Sequence, residues 1–541
     1  MNTNLLKKIK SMKNRDKFLL LLFFNTLFFS FLAYILPLRF EENDDVIMCL
    51  ISSGIYSGVP DAHLVYANYL YGWFLNLFYS VFPGIEWYTI SFCIIHIISL
   101  TIISYFIVKR TDKSFWLKSI FLLFLYVIEI RIMLFFQFTT TAAICSFAGL
   151  LLLLFERKNL YKFLGIILFI LGTLIRYKAS GWAILLMLPI FAYKIFSDRK
   201  ELIKLLVPVS ICFLTIIASQ TIDTYIYGKN QEWADYKQYD KMRGLINDNP
   251  NAMKLMENLP EGVSKNDYHL LLAFFPDGKM IDLSKIKELD KLRRSVPLAE
   301  KIKNVYPSLR NYTLLLGLIL MLFFVCLLAQ KKKIDKAYIL CYMIFFIVML
   351  SFVSLDGTLK YRVFMPALLV ALFFIYDNFP NNSNKLLKTS LAGIIIVLSL
   401  LLTYRMYRIR EDKIEFEKTL LTEQWRVIDE VKNQNVSVVS LAADFSIERC
   451  NPFKISKSFS DFSYLCAGWL TTIPLNNDIF DSYISLVDNN IYLFATFENA
   501  EWYIPRIQQA LIENYNCETE VFEKFRSTNY LLIQIRKKIE L

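Results

Sequence analysis

Apolar residues fill this chain in long unbroken stretches, separated by short polar loops rich in lysine and arginine. A bilayer crossing needs about 20 mainly apolar residues. Candidate spans are Lys17–Leu38, Glu86–Val108, Phe115–Met133, Phe138–Phe155, Tyr161–Ile175, Gly181–Phe196, Leu202–Gln220, Tyr312–Ala329, Ala337–Val353, Val363–Tyr376 and Leu387–Met406. That predicts about eleven spans, the fifth and tenth short for a full crossing. Three longer segments interrupt them: Leu38–Ile85, Thr221–Arg310 and the tail Tyr407–Leu541. In the first, Val46–Tyr56 and His63–Phe82 carry apolar residues at helical spacing. They predict two helices lying on the membrane, joined by the turn Gly58-Val59-Pro60-Asp61. The second is polar and helical in pattern. Ser264-x-x-Asp267 forms a capping box, and Trp233, Tyr236, Tyr239 and Arg243 share one face. That face reads as a packing stripe against the membrane domain rather than a sugar-stacking surface. The tail opens with a polar helical stretch, Arg410–Lys432. It continues with strand-like runs Val436–Leu441, Ile491–Phe497 and Tyr530–Ile535 and a helical run Glu501–Tyr515, the pattern of a small α/β domain.

The expected architecture is a polytopic α-helical membrane protein: a transmembrane domain over 1–406, with outward loops 38–85 and 221–310, and a small extracytoplasmic α/β domain over 407–541. Composition agrees, since 55% of the 541 residues are hydrophobic and 20% are charged, with a mean hydropathy of +0.41. Orientation follows from loop cations. Lys7, Lys8, Lys10, Lys13 and Arg15 precede the first span, and Lys109, Arg110, Lys113, Arg157, Lys158, Arg199, Lys200, Lys331, Lys332, Lys333 and Lys385 fall in alternate loops. The N-terminus is therefore cytoplasmic and the three long segments face outward. The first span is too long for a removable signal and lacks a small-residue cleavage site, so it reads as retained. The net charge of +12 is spread over these loops and does not imply nucleic acid. Nine cysteines show no Cys-x-x-Cys spacing, and a disulfide among Cys450, Cys466 and Cys517 stays open.

Candidate chemistry begins at Asp44 and Asp45, just past the first span. Carboxylates at membrane depth are costly, which makes an acidic pair there a functional-site candidate. Two readings stand: Asn43 or Asp44 caps the following helix, or the pair supplies a general base or metal-binding carboxylate facing a cavity. Glu41 and Glu42 read as solvated. Cations form a second group: Arg131 ends the third span, Arg176 and Lys178 follow the fifth, and Lys360-Tyr361-Arg362 opens the tenth ahead of Pro366. Each can anchor on lipid headgroups or bind a substrate phosphate, and all share the side that holds Asp44. Asp61 and His63 form a third group, either structural or substrate-binding.

This order of parts resembles the GT-C superfamily of integral membrane glycosyltransferases, which includes protein O-mannosyltransferases and aminoarabinose transferases of lipid A. The likeness rests on Asp44-Asp45 after the first span, where relatives carry Asp-Glu or Asp-Asp. It rests also on Pro60-Asp61-Ala62-His63-Leu64, near their His-Pro-Pro stretch, and on Lys360-Tyr361-Arg362-Val363-Phe364-Met365-Pro366, similar to their Arg-Tyr-x-x-Pro. The double proline after His63 is absent, as is the Trp-Trp-Asp signature of oligosaccharyltransferases. The resemblance implies a polyprenyl-phosphate sugar as donor and an acceptor hydroxyl on a glycan, glycolipid or protein. It implies Asp44 as base, Asp45 orienting it or helping to hold a divalent cation such as Mg or Mn, and inversion at the anomeric carbon. Arg362 with Lys360 or Arg176 would take the departing phosphate, with Tyr361, Asp61 and His63 near substrate. Membrane lipid is the surrounding partner, and Lys-, Ile- and Asn-rich usage is compatible with an AT-rich bacterium. Competing readings are a polysaccharide polymerase or ligase with a pyrophosphate-linked donor, a lipid-linked sugar flippase, and an inactive accessory subunit.

Overall fold

A computed structural model of the protein describes residues 12–197, 201–355, 357, 359–432, 434, 436–476 and 478–538. The expected cytoplasmic cations Lys7, Lys8, Lys10, Arg199 and Lys200 lie outside the described residues. The apolar runs become helices, because a chain in hydrocarbon must satisfy its own backbone groups. These are α1 (Asn14–Ile35), then after the loop helices α2 (Asn43–Ser53) and α3 (Tyr69–Val81), α4 (Trp87–Lys109), α5 (Phe115–Leu134), α6 (Phe138–Phe155), α7 (Asn159–Ser197) and α8 (Glu201–Tyr227). An insert follows, with α9 (Gln231–Asn247), α10 (Lys265–Leu272), α11 (Leu283–Arg294), α12 (Leu298–Lys303) and α13 (Val305–Arg310). The bundle then resumes with α14 (Thr313–Ala329), α15 (Lys333–Val353), α16 (Tyr361–Asn378) and α17 (Lys385–Phe416).

Eight of these helices are long and apolar enough to cross a membrane, or nine if α12–α13 and α14, bent by 85°, count as one broken span. The sequence reading expects about eleven. The difference lies in α5, which carries Lys118, Glu129 and Arg131, and in α7, which merges Tyr161–Ile175 and Gly181–Phe196. The merged helix is not straight. Arg176 has non-helical backbone angles (φ −158°, ψ 97°). Contacts on either side of it run in opposite directions along α6. A Cβ on Gly149 would meet Gly165, and one on Gly172 would meet Ala142 and Ser146, an antiparallel pairing. Beyond the bend, Ser180 bonds Ser146 and Lys194 reaches the Leu154 carbonyl, a parallel pairing. The two halves of α7 therefore form a hairpin with Arg176 at its turn. Small residues let the three strands of helix approach closely. Inside the bundle, His96 joins Glu129 at 2.8 Å and Thr141 at 3.0 Å, tying α4, α5 and α6 together.

The insert and the tail form a head over one end of the bundle. The Ser264 capping box is present. The tail carries helices α18 (Thr422–Asp429) and α19 (Phe497–Tyr515) and a five-stranded sheet. Two-residue strands β1 (Arg39–Phe40) and β2 (Phe135–Phe136) pair in parallel near the site. The tail strands are β3 (Ser437–Ser440), β4 (Ser463–Cys466), β5 (Ile491–Thr496), β6 (Thr519–Arg526) and β7 (Tyr530–Lys537), in the order β4-β3-β5-β7-β6. β3 runs parallel to β4 and β5, whereas β7 is antiparallel to β5 and β6. The three strand-like runs and the helical run appear as β3, β5, β7 and α19; β4 and β6 were not anticipated. Among the described residues no disulfide joins Cys450, Cys466 and Cys517.

Two expectations for the first loop need correction. α2 begins at Asn43 and is capped by neither Asn43 nor Asp44; Glu42 holds the N-cap position without a side-chain bond. Residues Asp45–Ser52 are buried between bundle and tail, with Asn43 Nδ2 on Cys466 Sγ at 3.3 Å. α3 begins at Tyr69, not His63, because 61–68 hold no regular structure and bend at 65–67, with Val65 at φ 64°. Nearby, Glu86 accepts from the Ser456 amide and hydroxyl at 2.7 and 3.0 Å, clamping the tail to the loop.

Candidate functional site

The first turn of α2 points its two carboxylates in different directions. Asp45 is fully buried. Its Oδ1 accepts from the Tyr88 hydroxyl at 2.9 Å and the Phe138 amide at 3.1 Å, so it ties α2 to α4 and to the start of α6. Its Oδ2 has no partner among the described residues. Burial holds the Asp45 carboxyl well above its usual range, which favours the neutral form. Asp44 turns the other way, and its Oδ1 accepts from the indole Nε1 of Trp469 at 2.9 Å, 425 residues along the chain. Burial raises the Asp44 carboxyl above its usual value, while Arg362 and the Trp469 bond pull it down.

Around Asp44 the charges come from three parts of the molecule. Arg362 at the start of α16, Arg176 at the hairpin turn of α7 and Asp240 on α9 all act electrostatically on its carboxylate. Arg362 also pairs with Glu42 at 3.4 Å. Arg176 donates to the Tyr66 carbonyl at 2.8 Å and lies over the rings of Phe138 and Tyr66, 5.2 and 5.5 Å from their centroids. The Tyr66 ring stands edge-on to Trp469, 5.1 Å away. On α9, buried Asp240 and Arg243 pair at 2.6 Å, and Tyr236 donates to the Trp469 carbonyl at 3.0 Å. The centre thus brings the partly exposed Asp44 carboxylate under the influence of two guanidinium groups, Arg362 and Arg176, beside the rings of Tyr66, Phe138 and Trp469. In such a place charge–charge interactions are stronger than in water.

The other expected site residues divide. Lys360 pairs with Asp248 of the insert at 3.2 Å. Lys178 is exposed beside the hairpin turn. Arg131 is packed between Phe135 and Tyr361, 3.8 and 4.7 Å from their ring centroids, and pairs with Glu41 at 3.4 Å. Glu41 and Glu42, expected to be solvated, are instead the partners of Arg131 and Arg362, because the loop folds back on the helix ends. Tyr361 also leans on Tyr312, centroids 6.2 Å apart. Asp61 takes both the backbone and the ring nitrogen of His63 at 2.7 Å. The His63 ring stacks on Trp233 at 4.3 Å and meets Tyr69 and Tyr227 edge-on. These contacts brace the irregular segment before α3. Among the described residues no three His, Cys, Asp or Glu side chains come together to hold a metal ion. Trp469, Tyr66, Asp240 and Arg243 were missed as site residues; only the helical face of Trp233, Tyr236, Tyr239 and Arg243 signalled that α9 packs inward.

No family model matches the chain, and no curated protein matches it. Among solved structures it is similar to the crystal structure of ArnT from Cupriavidus metallidurans bound to undecaprenyl phosphate. The identity is 9% and the TM-score 0.40, over 94% of this chain and 97% of that one. No residue role is taken from that similarity.

Proposed function

We propose that this protein is an inverting membrane glycosyltransferase, moving a sugar from a polyprenyl-phosphate donor to an acceptor hydroxyl on the extracytoplasmic face. The observation that carries the reading is the Asp44 carboxylate, held by Trp469 and acted on by Arg362 and Arg176, where the head meets the bundle. The motif order after the first span and before Pro366 supports it, as does the loop-charge asymmetry, since outward loops carry few cations.

In this reaction Asp44 takes the proton of the acceptor hydroxyl as its oxygen attacks the anomeric carbon. The bond to the phosphate oxygen breaks on the opposite face, so the configuration inverts. Arg362 and Arg176 receive the charge that develops on the leaving polyprenyl phosphate, the kind of preorganised stabilisation that outweighs other terms in a dry site. The rings of Tyr66, Phe138 and Trp469 keep water from competing. Asp45, engaged by Tyr88 and Phe138, positions the first turn of α2 and so aims Asp44.

The test is Asp44→Asn in membranes supplied with prenyl-phosphate sugars. Transfer should fall by roughly 10²–10⁴-fold, the scale of a lost general base, with unchanged membrane insertion and melting. Turnover at the wild-type rate would remove Asp44 from that role.

A further inference from the structure

At the end of the bundle that holds the candidate centre, α17 packs against α5 and α14, and α16 packs against the same two helices. Two arginines lie there. Arg131, in the last turn of α5, sits between the rings of Phe135 and Tyr361 and meets one carboxylate, Glu41, at 3.4 Å. Its side chain is still 10% exposed. Arg405 follows the uncharged stretch 389–404 of α17 and is partly exposed. Among the described residues it makes no hydrogen bond and no ion pair. The two arginines converge on the same rings, since both act electrostatically on Tyr361 and on neighbouring Tyr312. Next to Arg405, Met406 packs with Leu134 and Phe135 in a small apolar cluster, edged by Leu36 at the end of α1. Tyr34 of α1 and Tyr404 of α17 are exposed close by in sequence, and such rings collect at the headgroup layer of a bilayer. Like charges held near one another repel, more strongly where water is scarce. A phosphate between them removes that cost, and a guanidinium fork matches its oxygens. The apolar cluster and the interfacial setting make a lipid the carrier of that phosphate. The place adjoins the centre: Tyr361 precedes Arg362, Glu41 precedes Glu42, and Arg362 pairs with Glu42.

We propose that Arg131 and Arg405 form a second phosphate site, for the phosphate of a membrane lipid at headgroup depth. Two lipids carry that chemistry: the polyprenyl-phosphate donor on its way to Arg362, and an anionic phospholipid of the same leaflet. The donor role rests on the glycosyltransferase reading above, whereas the phosphate site itself does not. Arg131 is already fixed by its two rings, so little freedom is lost when it takes the phosphate.

The experiment is native mass spectrometry of the full-length protein in detergent with four lipids: undecaprenyl phosphate, undecaprenol, dioleoylphosphatidylglycerol and dioleoylglycerol. A lipid bearing phosphate should bind about tenfold or more tighter than its phosphate-free counterpart. Arg405→Gln should weaken that binding about tenfold or more, the loss of one hydrogen bond to a charged group. It should leave melting unchanged, because the guanidinium bonds to nothing among the described residues. Arg405→Lys should keep part of the binding. The same loss should appear in an Arg362→Ala background, where the phosphate contact of the centre is already weakened. Undecaprenyl phosphate as the tighter ligand makes the site a loading point for the donor; phosphatidylglycerol as the tighter ligand makes it a phospholipid anchor. Equal binding of lipids with and without phosphate, or binding that Arg405→Gln leaves unchanged, would overturn the proposal. Sugar transfer is read separately, in membranes supplied with prenyl-phosphate sugars. Transfer without Arg405-dependent lipid binding sinks the second site alone; Arg405-dependent binding without transfer from any donor sinks the transferase reading alone.

Discussion

At the scale of single residues, Asp44 sits between opposing influences. Burial favours its protonated form, while Arg362 and the Trp469 indole favour the carboxylate. A base must be ionised to work, so transfer should rise with pH through a value above the ordinary aspartate range. Arg362→Ala removes a group that holds the value down. The acid limb of the kcat/KM profile should therefore move to higher pH, and the rate should fall by roughly 10²–10³-fold through lost phosphate stabilisation. An unmoved limb with an unchanged rate would reassign Arg362 to its pairing with Glu42. The neighbouring Asp45 shows how little a motif reveals about roles. The two carboxylates are adjacent in sequence, yet one faces the polar centre and the other the bundle, because successive positions on a helix point about 100° apart.

Among elements, the α6–α7 unit carries the clearest packing constraint. A Cβ on Gly172 would meet the Ala142 carbonyl at 2.7 Å and Ser146 Oγ at 2.2 Å. Gly172→Ala should destabilise the detergent-solubilised protein by about 1–3 kcal/mol, the scale of overpacking. Gly317→Ala on α14, where a Cβ meets nothing within 4 Å, serves as the control and should melt at or above the wild-type temperature. The span helices were readable in the sequence because hydrocarbon leaves a backbone few alternatives. The loop helices were read less well. Residues 63–68 have helical spacing but are held out of a helix by partners far away in sequence: Arg176 on the Tyr66 carbonyl, Lys237 on the Val65 carbonyl and Tyr227 on the Val65 amide. In the tail, β6 escaped because its residues are mostly exposed and half of them charged, and β4 because it is four residues long.

For the molecule as a whole, the head is part of the site rather than an appendage. Trp469 comes from the tail, Asp240 from the insert, and Arg176 and Arg362 from the bundle, and they meet only when all three parts dock. Trp469→Phe keeps a ring against Tyr66 but removes the donor to Asp44. It should lower kcat by roughly tenfold or more, the effect of a lost hydrogen bond to a charged group. It should also move the acid limb to higher pH while leaving melting unchanged. A kcat loss without movement of the limb would make Trp469 a packing residue only.

The sequence by itself determined most of the long apolar helices, the asymmetry of loop charge, most of the tail's secondary structure and the candidacy of Asp44, Arg176 and Arg362. Each of these follows from local pattern: apolar run length, cation placement, alternation, and a carboxylate where carboxylates are expensive. Only the tertiary structure decided that Asp45 faces inward to Tyr88, that Arg131 and His63 are held by aromatic rings, and that an indole from the tail reaches Asp44. Those outcomes depend on contacts between segments hundreds of residues apart, and no periodicity along the chain encodes which of them meet.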